Sequence, residues 1–274
     1  VTEPEPFNRR KTCRHGEMIY NIHDMYIGRS LDLYGEYSEG EIELFRRIVG
    51  RGQSVVEVGA NIGAHTLFFA RQVGSAGAVL AFEPQRVVFQ TLCANLALNS
   101  VAHVDCRQQA VGAAAGEVVV PPIDYHREGN FGGLALGGHT QGERVPLVVL
   151  DALDLDRCDL LKLDVEGMEQ EALEGATATL SRLKPVLYVE NDRREKSESL
   201  IRCLDSLGYS MYWHAPPLFN PRNFFGNPRN VFGPIVSRNM LCVHRSRSAR
   251  VEGLEEVRIT VTSTRPRRAV PRPG

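Results

Sequence analysis

The sequence predicts an α/β fold: a mostly parallel sheet with helices on both faces, its last strand antiparallel. Three observations lead there. Short β-branched apolar runs alternate with longer amphipathic stretches, the pattern of strands joined by crossover helices. The first of the central runs enters a glycine loop, as where a parallel sheet meets a ligand. The chain has 274 residues, 43% of them hydrophobic and 24% charged, which suits one large core with embellishments.

Taken in order, residues 1–40 mix charges, tyrosines and glycines without a sustained period. They read as an N-terminal arm packed over the main domain, with a short strand pair around 18–27. From Glu41, the residues Ile42, Leu44, Phe45, Ile48 and Val49 recur at helical spacing and stop at Gly50-Arg51-Gly52, a helix end. Buried strands are expected at 54–58, 79–82, 104–111, 160–163 and 186–189, with helices at 62–73, 86–98, 168–180 and 195–207. Two further strands, 209–213 and 240–243, have no long helix between them, so the last is expected to be antiparallel. The domain is read as 41–245. Residues 246–274 form a basic tail whose arginine- and proline-rich end is expected to be disordered.

Two irregular segments interrupt the alternation, 121–142 and 214–234. Irregular segments of this length inside a compact domain are usually functional or disordered. Their aromatic and asparagine content favours an ordered, binding-competent state, and both are expected to close over a ligand.

Charge narrows the class of partner. With 32 Lys and Arg against 33 Asp and Glu, no global field announces a polyanion, and without its arginine-rich end the chain is net acidic. Nucleic acid is therefore not the expected partner. No stretch reaches the length of a membrane span, and residues 1–18 are polar, so the cytoplasm is the expected location. Six cysteines lie far apart, without metal-site spacing, and read as core thiols. A homo-oligomer is left open.

The loop Gly59-Ala60-Asn61-Ile62-Gly63 follows the strand Val55-Val56-Glu57-Val58 and precedes a helix. A dinucleotide fingerprint would place glycine at 59, 61 and 64, and only Gly59 is present. Glu57 just before the loop would repel a pyrophosphate and attract a sulfonium or ammonium group. That charge favours S-adenosylmethionine over NAD or ATP. Glu83, at the end of the second strand, is placed to accept both ribose hydroxyls.

The fourth and fifth strands end in more acids. Asp164 and Glu166 follow Leu161-Lys162-Leu163, and Glu190 and Asn191 follow Tyr188-Val189. Asp164 or Glu166 is the candidate general base, or orients an acceptor hydroxyl; the alternative is that both cap the following helix. Asp164, Glu190 and Asn191 could also hold a hard divalent cation such as magnesium. Of the eight histidines, His214 is the catalytic candidate, because the second irregular segment begins there. Glu190 and Asn191 are expected on the acceptor side, Asp164 also against the cofactor, and Phe224, Phe225 and Asn227 are expected to supply stacking and amide contacts to the acceptor.

The run from Val56 to Thr66, then Phe82-Glu83-Pro84, Asn95, Ala110-Val111-Gly112, Asn130-Phe131-Gly132-Gly133, Leu163 to Glu169 and Val189-Glu190-Asn191 together resemble the FkbM family of S-adenosylmethionine-dependent methyltransferases. The resemblance covers 54–243, with the motifs in the family's order. It implies a class I methyltransferase (Rossmann-like) fold with seven strands, and transfer of methyl to the oxygen of a sugar, glycolipid or polyketide-type hydroxyl. Carried over by position, Glu57, Gly59, Asn61, Gly63 and Thr66 would line the methionine part of the cofactor and Glu83 its ribose, while Asn130, Asp164 and Glu166 would face the acceptor. The acid, acid and amide of Asp164, Glu190 and Asn191 are also similar to the metal set of catechol-type O-methyltransferases. Those enzymes, however, carry a second aspartate where Glu190 stands and a lysine where Gly167 stands. Two other readings are N-methylation of an amine or nucleobase, whose aromatic signature after the fourth strand is missing, and a catalytically silent cofactor-binding module.

Overall fold

The computed structural model describes residues 5–248 and 251–258. An antiparallel hairpin opens the chain, β1 (Asn8–Cys13) and β2 (Gly16–Asn21), followed by α1 (Ile27–Tyr34) and α2 (Glu39–Ile48). The alternating region holds β3 (Ser54–Val58), α3 (Ala64–Val73), β4 (Ala78–Phe82), α4 (Arg86–Leu98), β5 (Val104–Arg107) and β6 (Ala110–Val111). Next come β7 (Gly116–Val120), β8 (Glu143–Val148), β9 (Leu160–Leu163), α5 (Glu169–Glu174), α6 (Thr177–Leu183), β10 (Val186–Glu190) and α7 (Arg194–Ser206). The chain ends in β11 (Tyr209–His214), β12 (Asn239–His244) and β13 (Glu255–Glu256).

The main sheet has the order β13-β11-β12-β10-β9-β3-β4-β5. From β10 to β5 all pairings are parallel, and β12 runs antiparallel to both β10 and β11. This is the expected Rossmann-like arrangement with an inverted last core strand, plus an eighth edge strand from a region read as tail. The disorder expected of the tail's end lies outside the described residues. No described helix is long and apolar enough to cross a membrane.

Pleating divides the core between the two sheet faces. Val55, Val79, Leu160 and Tyr188 pack under Ile42 and Phe45 of α2 and Phe68 and Phe69 of α3. Val56, Leu161 and Leu187 turn the other way, onto Ala172, Leu173, Leu180, Leu200 and Leu204 from α5, α6 and α7. Strands covered on both faces read as near-continuous apolar runs, interrupted here by Glu57 and Lys162, which is why the central ones are visible in the sequence.

Three expected elements differ. The strand pair of the arm is the hairpin at 8–21, with its turn before Gly16. The run 104–111 splits, its second half joining β7 and β8 in a separate three-stranded sheet from which segment 121–142 projects. The helix expected at 168–180 is broken at Gly175, where an added Cβ would lie 2.1 Å from the Gly112 carbonyl oxygen. The arm is also no mere cover, because Tyr26, Ile27 and Tyr37 form part of the cleft wall described below.

Candidate active site

A cleft of about 370 Å³ opens at the carboxyl ends of β3, β9 and β10. Its floor begins at Gly59, whose φ of +84° lies in the left-handed region. A Cβ there would sit 1.8 Å from the Asp164 carbonyl oxygen, so only glycine lets this loop press against the end of β9. Gly63, with φ +87°, ends the loop and starts α3.

Glu83 anchors the same loop. Its Oε2 accepts the Asn61 backbone N–H at 3.0 Å and its Oε1 accepts that of Gln85 at 2.9 Å. Each carboxylate oxygen keeps a second lone pair, so a diol can still donate to it. Burial pushes the Glu83 carboxyl up to about 7, with those two N–H groups opposing.

Glu57 is buried, and Lys162 lies directly across from it in the parallel register of β3 and β9. The Thr66 hydroxyl donates to Glu57 Oε2 at 2.6 Å, and Lys162 Nζ stands 3.9 Å from Oε1. Burial drives the Glu57 carboxyl up to about 7 against the pull of Lys162 and Thr66. Lys162 bonds more closely to Asp164, Nζ to Oδ2 at 3.0 Å. Burial lowers the affinity of Lys162 for its proton, but Asp164, Glu57 and Glu41 outweigh it and the ammonium is retained.

Beyond Asp164 the wall carries Glu166, Glu190, Asp192 and Arg193. Glu166, in the left-handed region at φ +55°, pairs with the Arg193 guanidinium. Burial and neighbouring Asp164 push its carboxyl up to about 7. Glu190 Oε2 is buried without a hydrogen-bond partner among the described residues, and burial plus the surrounding acids raise its carboxyl well above the usual range. Oxygens of Asp164, Glu166 and Glu190 all lie within 4.8 Å of one another, a group that could hold a metal ion.

The structure brings Glu57, Gly59, Asn61, Glu83, Asn130, Asp164, Glu166 and Glu190 to one cleft. Thr66 stands behind it, fully buried under Glu57. Asn191 is turned away by the strand alternation and its Nδ2 faces Met240 Sδ at 3.3 Å, so Glu166 takes its place in the oxygen cluster. His214, on β11 and two strands away from β10, has Nδ1 2.8 Å from the Tyr188 hydroxyl and is absent from the cleft wall. Phe224, Phe225 and Asn227 lie elsewhere, packed on the N-terminal arm: Phe225 N–H donates to the Tyr34 carbonyl and Asn227 Nδ2 to the Leu33 carbonyl. The second irregular segment and its flank reach the cleft only through Leu218 and Ile235 to Ser237.

Sequence reasoning passed over Lys162, Tyr37, Glu41 and Arg193. A signal existed for Lys162, since a lysine inside the run Leu160-Leu161-Lys162-Leu163 must find an acid when both faces are covered. No local pattern marks Tyr37, which reaches the cleft through the path of the arm.

The family model described as the methyltransferase FkbM domain matches residues 57–211, more than half of the chain. The chain belongs to the FkbM methyltransferase family. This FkbM domain is an S-adenosylmethionine-dependent methyltransferase domain. A curated relative, methyltransferase sdnD of Sordaria araneosa, is 31% identical over 158 residues, covering 44% of this chain and 59% of that protein. The chain thus matches less than two thirds of that relative's length. An FkbM methyltransferase structure from Methylobacillus flagellatus aligns over 73% of this chain and 50% of its own, with 15% identity and a TM-score of 0.46. An S-adenosylmethionine-dependent O-methyltransferase of Thermotoga maritima aligns over 88% and 79%, with 14% identity and a TM-score of 0.49.

The donor set of this FkbM domain fits its cofactor. Six acids on the wall (Glu57, Glu83, Asp164, Glu166, Glu190 and Asp192) face Lys162 and Arg193 as the Lys or Arg cations among the described residues, and a ligand bringing a sulfonium and an ammonium favours the ionised form of the acids that burial leaves ready to hold a proton. Glu83 beside Asn61 is the acceptor pair suited to ribose hydroxyls.

Proposed function

We propose that the protein transfers a methyl group from S-adenosylmethionine to a hydroxyl of a sugar, glycolipid or polyketide-type metabolite. The observation that carries this reading is Asp164. It stands at the end of β9, one residue past the strand and against the glycine loop, with Oδ2 held by Lys162 and its side chain 37% exposed. A carboxylate so placed can accept the proton of a hydroxyl as the methyl group arrives, in an in-line displacement governed by alignment. S-adenosylmethionine would supply the electrophilic methyl, leaving as S-adenosylhomocysteine. Glu57, Gly59, Asn61 and Glu83 would hold it, and Asn130, Glu166 and Glu190 would flank the acceptor. Tyr26, Tyr37, Leu218 and Ile235 give the same wall the apolar and aromatic surface that a sugar ring or macrocycle would cover.

The test is a panel of sugar and polyketide hydroxyl acceptors assayed for methylated product with the unsubstituted chain and Asp164→Asn. The variant should keep its cofactor affinity within about threefold and lose about 100-fold in turnover, the scale of a general base. Unchanged turnover would remove Asp164 from the proton transfer.

A further inference from the structure

Lys162 is the one charged side chain on β9, and it is only 2% exposed. It stands in a row across the sheet, opposite Glu57 of β3 on one side and Tyr188 of β10 on the other. A buried ammonium is costly unless paired, and removing one member of such a pair leaves the other stranded. Which acid it serves is decided by distance and by the other bonds each acid makes. Glu57 is 3.9 Å away and already has the Thr66 hydroxyl at 2.6 Å. Glu41, reaching in from α2, accepts from the Ser38 and Ser237 hydroxyls. Asp164 is 3.0 Å away, and Lys162 is its one side-chain hydrogen-bond partner among the described residues.

We propose that Lys162 is a positioning residue for methyl transfer, its buried ammonium fixing the Asp164 carboxylate at the cleft floor. The inference rests on the function proposed above. Without this bond no described side chain would hold the Asp164 carboxylate, which is half-open and free to turn into solvent. Lysine suits the place because a compact ammonium lies 3.0 Å from Asp164 and 3.9 Å from Glu57 at once, where a planar guanidinium needs a fork of acceptors.

Lys162→Met alone leaves Glu57 and Asp164 without their cation, so folding is protected by removing the Glu57 charge as well. Four chains are compared: unsubstituted, E57Q, K162M/E57Q and K162M/E57Q/D164N. Each is checked by thermal unfolding, by calorimetric titration with S-adenosylmethionine, and by kcat and KM on the acceptor found in the panel. K162M/E57Q should show kcat lower than E57Q by about 30- to 100-fold, close to the full loss expected of Asp164→Asn, with cofactor affinity within about threefold. Adding D164N should then cost less than about threefold more, because residues acting through one another are non-additive. Equal kcat for E57Q and K162M/E57Q would overturn the inference, showing that Lys162 serves only to neutralise Glu57. A full further loss on adding D164N would overturn it too. Absence of turnover in the unsubstituted chain condemns the proposed function instead, so the two failures are told apart.

Discussion

The irregular segments 121–142 and 214–234 look alike in the sequence and end in different places. The first carries Asn130, Gly132 and Gly133 into the cleft, where Asn130 Oδ1 accepts the Gly133 N–H at 2.9 Å. The second folds its tip onto the N-terminal arm. There buried Glu36 accepts from the Phe224 N–H, Asn220 Nδ2 and Arg14 Nε at 2.8, 2.8 and 2.6 Å. Lys11 lies over the Phe225 ring and Arg14 over that of Phe224. Aromatic and asparagine content marks both as ordered, because rings bury area and amides satisfy turn N–H groups. Composition does not say which surface each segment orders against. In the second, the tip is structural and only the flanks reach the cleft.

That difference can be broken by substitution. The largest effect is expected from Glu36→Ala, which takes the carboxylate acceptor from Asn220 and the Phe224 N–H and leaves Arg14 with Glu39 and the Arg222 carbonyl. Stability should fall by about 2 kcal/mol, lowering Tm by about 5 °C, with kcat changed little. A large loss of kcat at unchanged Tm would place the tip in the reaction after all. Asn130→Ala removes both a cleft amide and the bond holding the Gly133 turn. It should lower kcat/KM for the acceptor about tenfold, or about 1.4 kcal/mol, while Tm moves by only a degree or two. The smallest effect belongs to Phe224→Ala with Phe225→Ala. These rings are 45% and 41% exposed and touch the arm, so acceptor KM should stay within about twofold. A rise of tenfold in KM would return them to the acceptor site.

The contrast also shows what the sequence could reveal. β3, β9 and α4 match their expected bounds because apolar runs and helical spacing are local signals set by burial on known faces. The acids at strand ends were legible for the same reason, since the carboxyl edge of a parallel sheet is fixed by topology. What failed depended on contacts between distant parts. Glu190 and Asn191 are neighbours in the chain and opposite in direction. His214 stands beside an irregular segment yet bonds to Tyr188, which lies two strands away. β13 pairs through two residues too polar to signal a strand. Lys162 was visible as an anomaly, but its meaning needed the register that sets it opposite Glu57.

The central claim is that this acidic cleft binds S-adenosylmethionine through the glycine loop and its two glutamates. Calorimetric titration with S-adenosylmethionine and, separately, with NAD tests it most directly, on the unsubstituted chain and on Glu57→Ala and Glu83→Ala. S-adenosylmethionine alone should bind, weakened at least about tenfold by Glu83→Ala, which removes an acceptor of ribose hydroxyls, and also weakened by Glu57→Ala. Binding of NAD in preference, or binding of S-adenosylmethionine indifferent to both substitutions, would contradict it.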